Sequence, residues 1–117
     1  MGNNKELGDK GEGIAADYLQ KEGYEIKARN YRYSRNEIDI VALKDKILVF
    51  VEVKTRTSNY FGYPEESVTD RKAELIMEAA DNYIYENGWQ GDIRFDIIAI
   101  EFQSHKHLVH HFRDAFF

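Results

Sequence analysis

The stretch that most constrains the chain runs from Asn36 to Lys54, where two runs rich in Ile, Val and Leu flank the charged turn Lys44-Asp45-Lys46. This pattern predicts a β-hairpin with largely buried strands. Into that apolar setting the chain sets Glu37, Asp39, Glu52 and Lys54, and charge in a buried strand is costly unless something neutralises it. Side chains alternate faces along a strand, so Glu37 shares a face with Asp39 and Glu52 shares one with Lys54. A two-residue loop at Asp45-Lys46 makes paired residues symmetric about it, which places Asp39 opposite Glu52 and Glu37 opposite Lys54. Carboxylates facing each other across a strand pair repel. A divalent cation between Asp39 and Glu52 removes that repulsion, and carboxylate oxygens plus water are what Mg²⁺ prefers. The plainer alternative is an ion-pair patch in which Lys46 and Lys54 balance the acids on a solvated face.

A length of 117 residues predicts one domain, with enough chain to bury a core. The sequence has no cysteine, which excludes disulfides and thiolate metal sites. No apolar run of about eighteen residues suggests a membrane span and no signal-peptide pattern suggests export, so the expected compartment is the cytoplasm. The net charge of −5 argues at first against a nucleic-acid partner. Its distribution changes the argument. Residues 1–72 hold 13 basic against 13 acidic side chains, and residues 73–117 hold 3 against 8, so the excess acidity lies downstream of the hairpin. Just upstream, residues 21–35 set Lys21, Lys27, Arg29, Arg32 and Arg35 against Glu22 and Glu25, with Tyr24, Tyr31 and Tyr33 interleaved. Such a segment can hold phosphate backbone and stack on bases; equally, positive charge can guard an edge strand against aggregation.

Around the hairpin, residues 4–22 read as a helix with Asn4 as candidate N-cap and Gly23 past its end. Glu12 falls on or beside its apolar stripe of Leu7, Ile14, Ala15, Tyr18 and Leu19. Residues 24–33 read as a first strand. A polar, aromatic loop is expected from Thr55 to Pro64, with Arg56 as a phosphate ligand and Tyr60 or Phe61 as a stacking platform, or equally with Phe61 only anchoring the loop to the core. A second helix is expected from Thr69, its N-cap, to Asn87, closed by Gly88, with Met77 as core filler in a stripe with Ala73, Ile76, Ala80 and Ile84. Lys72 falls in its first turn, where a helix start favours anions. Strands are expected over 93–102 and 107–112. Asp96 is expected to pair internally with an arginine. His105, His107, His110 and His111 lack the spacing of a zinc site. The order αβββαββ gives an α/β domain with a central mixed sheet, its third and fourth strands parallel through the helical crossover.

Glu-Ile-Asp at 37–39 followed by Phe-Val-Glu-Val-Lys at 50–54 resembles the PD-(D/E)xK motif of restriction-endonuclease-like nucleases. The likeness extends through Gly8-Asp9-Lys10-Gly11-Glu12, Gly23-Tyr24, Asn30-Tyr31-Arg32, Arg56, Phe61-Gly62, Lys72 and Arg94-Phe95-Asp96, and is closest to the YraN-like family of small bacterial predicted nucleases, related to archaeal Holliday junction resolvases. Asn36 stands where that family usually carries glycine. The resemblance implies a restriction-endonuclease-like fold with one helix on each face and the active site where the hairpin strands diverge. It implies an endonuclease using Mg²⁺ or Mn²⁺, with metal ligands Asp39, Glu52, the Val53 carbonyl and Glu12. Lys54 and Glu37 complete the catalytic group, and Arg32, Arg35, Arg56 and Lys72 meet the substrate. The expected partner is nucleic acid, DNA in the first place and branched DNA such as Holliday junctions among the candidates. Related resolvases act as dimers on two-fold symmetric junctions, so a homodimer is also expected. The competing expectation is a non-catalytic nucleic-acid or protein interaction module that keeps the fold.

Overall fold

The computed structural model describes residues 4–57 and 69–116. They form α1 (Asn4–Lys21), β1 (Glu25–Tyr33), β2 (Asn36–Lys44), β3 (Ile47–Thr57), α2 (Asp70–Asn87), β4 (Asp92–Phe102) and β5 (His107–Phe112). The five strands make one sheet in chain order, parallel between β3 and β4 and antiparallel elsewhere. This is the expected αβββαββ mixed sheet. β1 and β5 are its edges, and Lys27, Arg29 and Arg32 stand exposed on β1. Among the described residues no helix is long and apolar enough to cross a membrane.

The alternating apolar residues of the central strands bury both faces of the sheet, one under each helix. Ala15, Ala16 and Leu19 of α1 pack on Ile40, Ala42, Val49, Val51, Ile98 and Ile100. Ile76, Ala79, Ala80 and Tyr83 of α2 pack on Ile38, Val41, Leu48, Phe50 and Phe95. Small residues in both helices let their backbones approach the sheet closely. At Gly11 an added Cβ would come within 2.4 Å of Thr55 Oγ1, so α1 lies against β3 there with no room for a side chain. The buried stripe of α2 includes Ala79 and Tyr83 and leaves Met77 37% exposed, which corrects the core role expected of that residue. The solvent side of the same helix carries Glu74, Glu78, Asp81 and Glu86.

α2 begins as expected, with Thr69 accepting a hydrogen bond from the Lys72 amide, and ends with Gly88 in the left-handed conformation. The capping side chain expected of Asn4, and the stacking roles of Tyr60 and Phe61, lie outside the described residues. The loop expected from Thr55 begins later. Thr55, Arg56 and Thr57 continue β3, paired in parallel with Ile100, Glu101 and Phe102, because β-branched threonines suit a strand whose neighbour extends equally far.

Candidate functional site

The hairpin turn sits at Asp45-Lys46, both left-handed (φ 52° and 66°), as a two-residue turn matching strand twist requires. Register then runs from Lys44–Ile47 to Ile40–Val51, so Asp39 follows on β2 and Glu52 on β3 where that pairing ends. There the strands part, and Asp39 replaces the ladder with its side chain: the Val53 amide donates to Asp39 Oδ2 at 2.7 Å. A strand residue turns its N–H and C=O toward the same antiparallel neighbour, so the Val53 carbonyl leans toward this mouth too.

Glu52, 8% exposed, lies at the mouth with two ammonium groups on one oxygen. Lys72 Nζ stands 2.8 Å and Lys54 Nζ 3.5 Å from Glu52 Oε1. Lys72 reaches it from the first turn of α2, the start that Thr69 caps. The hollow in front, about 320 Å³, is lined by Asp39, Glu52, Lys72, Glu37, Arg35 and Asn36, with Leu75 and Ile76 as its apolar wall. Burial, and then the Glu52 carboxylate, push the Asp39 carboxyl up to about 7 despite the Val53 amide. Burial, and then Lys72, push Lys54 below its ordinary value. Lys72 is raised: desolvation opposes the shift, but its hydrogen bond to Glu52 overcomes it. The mouth therefore holds a carboxyl that resists ionisation beside a lysine amine that resists protonation.

Glu37 does not face Lys54, which corrects the alternation argument. Ile38 and Val41 both pack under α2 while Ile40 packs under α1, so the period of two slips once between residues 38 and 41. Opposite the slip stands Asn30. Its φ of 52° breaks the extended course of β1, and the pairs on either side are Arg29–Ile40 and Tyr31–Ile38. With its amide oriented to suit its neighbours, Asn30 donates to Glu12 Oε1 at 2.8 Å and Glu37 Oε1 at 2.9 Å. Glu37 also pairs with Arg32 at 3.2 Å. Glu12, on the α1 residue after Gly11, is raised by burial and then by Glu37. The acids thus form two linked groups, Asp39 with Glu52 and Glu12 with Glu37. The strand pattern alone does not mark Asn30 as a member; its signal is a polar residue that tolerates the left-handed region, set inside a strand.

Of the expected substrate ligands, Arg35 and Lys72 line the hollow. Arg32 is exposed but engaged with Glu37, and half-buried Arg56 donates to the Thr55 carbonyl at 3.1 Å. Among the described residues no three acidic or histidine side chains gather tightly enough to hold an ion by themselves. Asp39, Glu52 and a strand carbonyl are instead a donor set for a hydrated cation: Mg²⁺ commonly takes one or two carboxylates and keeps several waters. Asp96 pairs internally, as expected. Fully buried, it receives Arg94 Nε and Nη2 at 2.8 Å each, the Asp114 amide at 3.0 Å, and His111 Nε2 at 2.7 Å. Burial alone would raise this carboxyl, but those bonds hold it at about 2.

A family model described as "Uncharacterised protein family UPF0102" matches residues 11–100. The chain is 42% identical over 117 residues to a UPF0102 protein of Flavobacterium psychrophilum, spanning 100% of this chain and 98% of the relative. It is 48% identical over 117 residues to one from Chlorobium phaeobacteroides, spanning 94% and 92%. To one from Clostridium perfringens it is 45% identical over 116 residues, spanning 97% and 95%.

Proposed function

The chain belongs to the UPF0102 family, the YraN-like proteins, and on that premise we propose that it is an endonuclease that hydrolyses phosphodiester bonds of nucleic acid with a divalent cation at the mouth of the β2–β3 hairpin. One observation carries the reading: Asp39, Glu52 and Lys72 line one open hollow, Lys54 stands 3.5 Å from Glu52 behind it, and burial with like charge pushes Asp39 up to about 7. A structural patch gains nothing from a carboxyl so displaced, whereas a cation site uses it, because cation binding removes the repulsion and the proton together.

Asp39, Glu52 and the Val53 carbonyl would hold Mg²⁺ or Mn²⁺, with Glu12 and Glu37 ordering the outer waters through Asn30. A bound cation would supply an acidified water and neutralise charge on the phosphate. Lys54, its proton already destabilised, orients that water and meets the charge that develops in the transition state. Lys72 bridges Glu52 and the hollow, where it and Arg35 can receive phosphate oxygens. The Val53 amide fixes Asp39, so the carboxylate need not reorganise as substrate enters. DNA is the first substrate to try, and the cytoplasm is the compartment that fits this reading.

A second reading, a non-catalytic nucleic-acid or protein interaction module, is favoured by the 2.8 Å Lys72–Glu52 pair, which neutralises Glu52 without an ion. Cleavage separates the two. Linear, flapped and four-way DNA, and RNA, are incubated with Mn²⁺ or Mg²⁺ and wild type, Asp39→Asn or Lys54→Ala. The nuclease reading expects cation-dependent cleavage that falls by roughly 10²-fold or more in each variant, the usual loss with an acid–base group, while both variants stay folded. Cleavage by Asp39→Asn at the wild-type rate would refute it.

A further inference from the structure

We propose that a second, cationic hollow at the β4–β5 turn is a binding subsite for the phosphate backbone of nucleic acid entering the hairpin mouth. This rests on the nucleic-acid reading above and names a surface which that reading does not use. The hollow, about 290 Å³, is lined by Lys10, Phe102, Gln103, His105, Lys106 and His107 together with Ser104. In a chain of net charge −5, this lining contains no acidic side chain.

The hollow is built by packing and does not depend on a loose loop. Phe102 forms its floor, with Lys10 Nζ 5.3 Å from the ring centroid and the His107 ring at 6.3 Å on its edge. Gln103 N–H donates to the Lys106 carbonyl at 2.8 Å, closing the turn that holds His105 and Lys106 outward. The nearby Glu101 carboxylate accepts the Gln103 amide at 3.0 Å, and Asp9, one residue before Lys10, pairs with Lys5 at 2.9 Å. Neither acid lines the hollow.

Its position suits a polyanion held at two points. β3 and β4 are parallel, so the turn after β4 lies at the same end of the sheet as the end of β3. Glu52 is five residues before Thr57, the partner of Phe102, which is about 17 Å along the strand at about 3.3 Å per residue. The hollow opens on the α1 face of the sheet, beside Lys10, and the mouth opens beside Lys72 and Ile76 of α2, so a polyanion meets both by passing round the sheet end. Three consecutive residues of α1 join them. Lys10 lies over Phe102, Gly11 sits on Thr55, and Glu12 reaches Asn30.

The test is fluorescence anisotropy of a duplex DNA of roughly 20 base pairs, long enough to span both points at about 3.4 Å per step. It is titrated against salt with wild type, Lys10→Glu/Lys106→Glu, the milder Lys10→Gln/Lys106→Gln, and Lys46→Glu at the opposite end of the sheet as a charge control. Loss of two phosphate contacts flattens the salt slope by about 2 and weakens binding at least tenfold in the first variant, less in the second, with Lys46→Glu near wild type. Equal loss in Lys46→Glu, or none in the double variants, overturns the subsite. Melting shifts with Mn²⁺ are read in parallel. A shift kept with no duplex binding overturns the subsite and leaves the cation site standing; binding that depends on Lys10 and Lys106 with no Mn²⁺ shift supports the subsite and rejects the nuclease reading.

Discussion

Replacing Asp39 by Asn should stabilise the cation-free protein at alkaline pH and remove its response to divalent ions. The Asp39 carboxyl is displaced from 3.8 to about 7, first by burial and then by Glu52. Between those two values the unfolded chain has released the proton while the folded chain keeps it. Stability therefore falls as pH rises through that window, and the full cost is carried above it. At about 1.4 kcal/mol per pH unit the cost is roughly 4 kcal/mol. Lys54, Lys72 and water in the hollow reduce it, to about 2–4 kcal/mol. At roughly 4 °C per kcal/mol for a chain of this size, Asp39→Asn in EDTA at pH 8 should melt roughly 8 °C or more above wild type, and the gap should close toward pH 4. Adding Mg²⁺ or Mn²⁺ at about 100 times its Kd should raise wild type by about 2.7 kcal/mol and leave the variant unmoved. Scanning calorimetry across pH, with and without the ion, reads all of this. Coincident melting curves for the two proteins at pH 8 in EDTA would show that the Asp39 carboxyl is not strained against Glu52, and the argument for a cation would fail with it.

Asp96→Asn should cost about 3–5 kcal/mol, because it leaves the Arg94 guanidinium and His111 around a site that has lost its charge; urea titration measures it. In wild type, stability present above pH 3.8 should drain away as pH falls through about 2, the value to which Asp96 is held, and Asp96→Asn should lack this acid transition. Gly11→Ala should destabilise by about 1–3 kcal/mol through overpacking against Thr55 Oγ1. In a Thr55→Ala background the same change should instead stabilise by up to about 1 kcal/mol, the helix preference for alanine, and a double-mutant cycle without that change of sign would contradict the close approach of α1. At Asn30, Gly should be tolerated better than Ala, since Gly keeps the left-handed backbone and loses only the bridge between Glu12 and Glu37; chemical denaturation of both variants decides it.

The hairpin was legible because its register follows from turn length alone once Asp45-Lys46 is taken as the loop, and that register sets Asp39 and Glu52 at the point where the strands part. What the alternation rule could not carry was the far side of Asp39. The phase of β2 slips opposite the left-handed Asn30 of β1, and nothing in the apolar pattern of β1 announces that residue. Strict alternation therefore sets Glu37 against Lys54, whereas it belongs with Glu12. Likewise, the polarity of Thr55-Arg56-Thr57 suggested a loop because polarity reports exposure, whereas strand length here is set by β4, 45 residues further on. His111 illustrates the same limit. A short strand with a histidine on each face does not say which is buried; the ring that packs beside Tyr18, 3.0 Å from its hydroxyl, is fixed by α1, far away in sequence.

The acidic outer side of α2 makes the molecule electrically lopsided. Glu74, Glu78, Asp81 and Glu86 point to solvent on one flank, while the arginines of β1 and the lysines near the sheet end lie elsewhere. A polyanion drifting toward such a particle is turned before it touches, because one flank repels and another attracts. If nucleic acid is the partner, as proposed, its arrival should slow steeply with added salt as this orienting torque is screened.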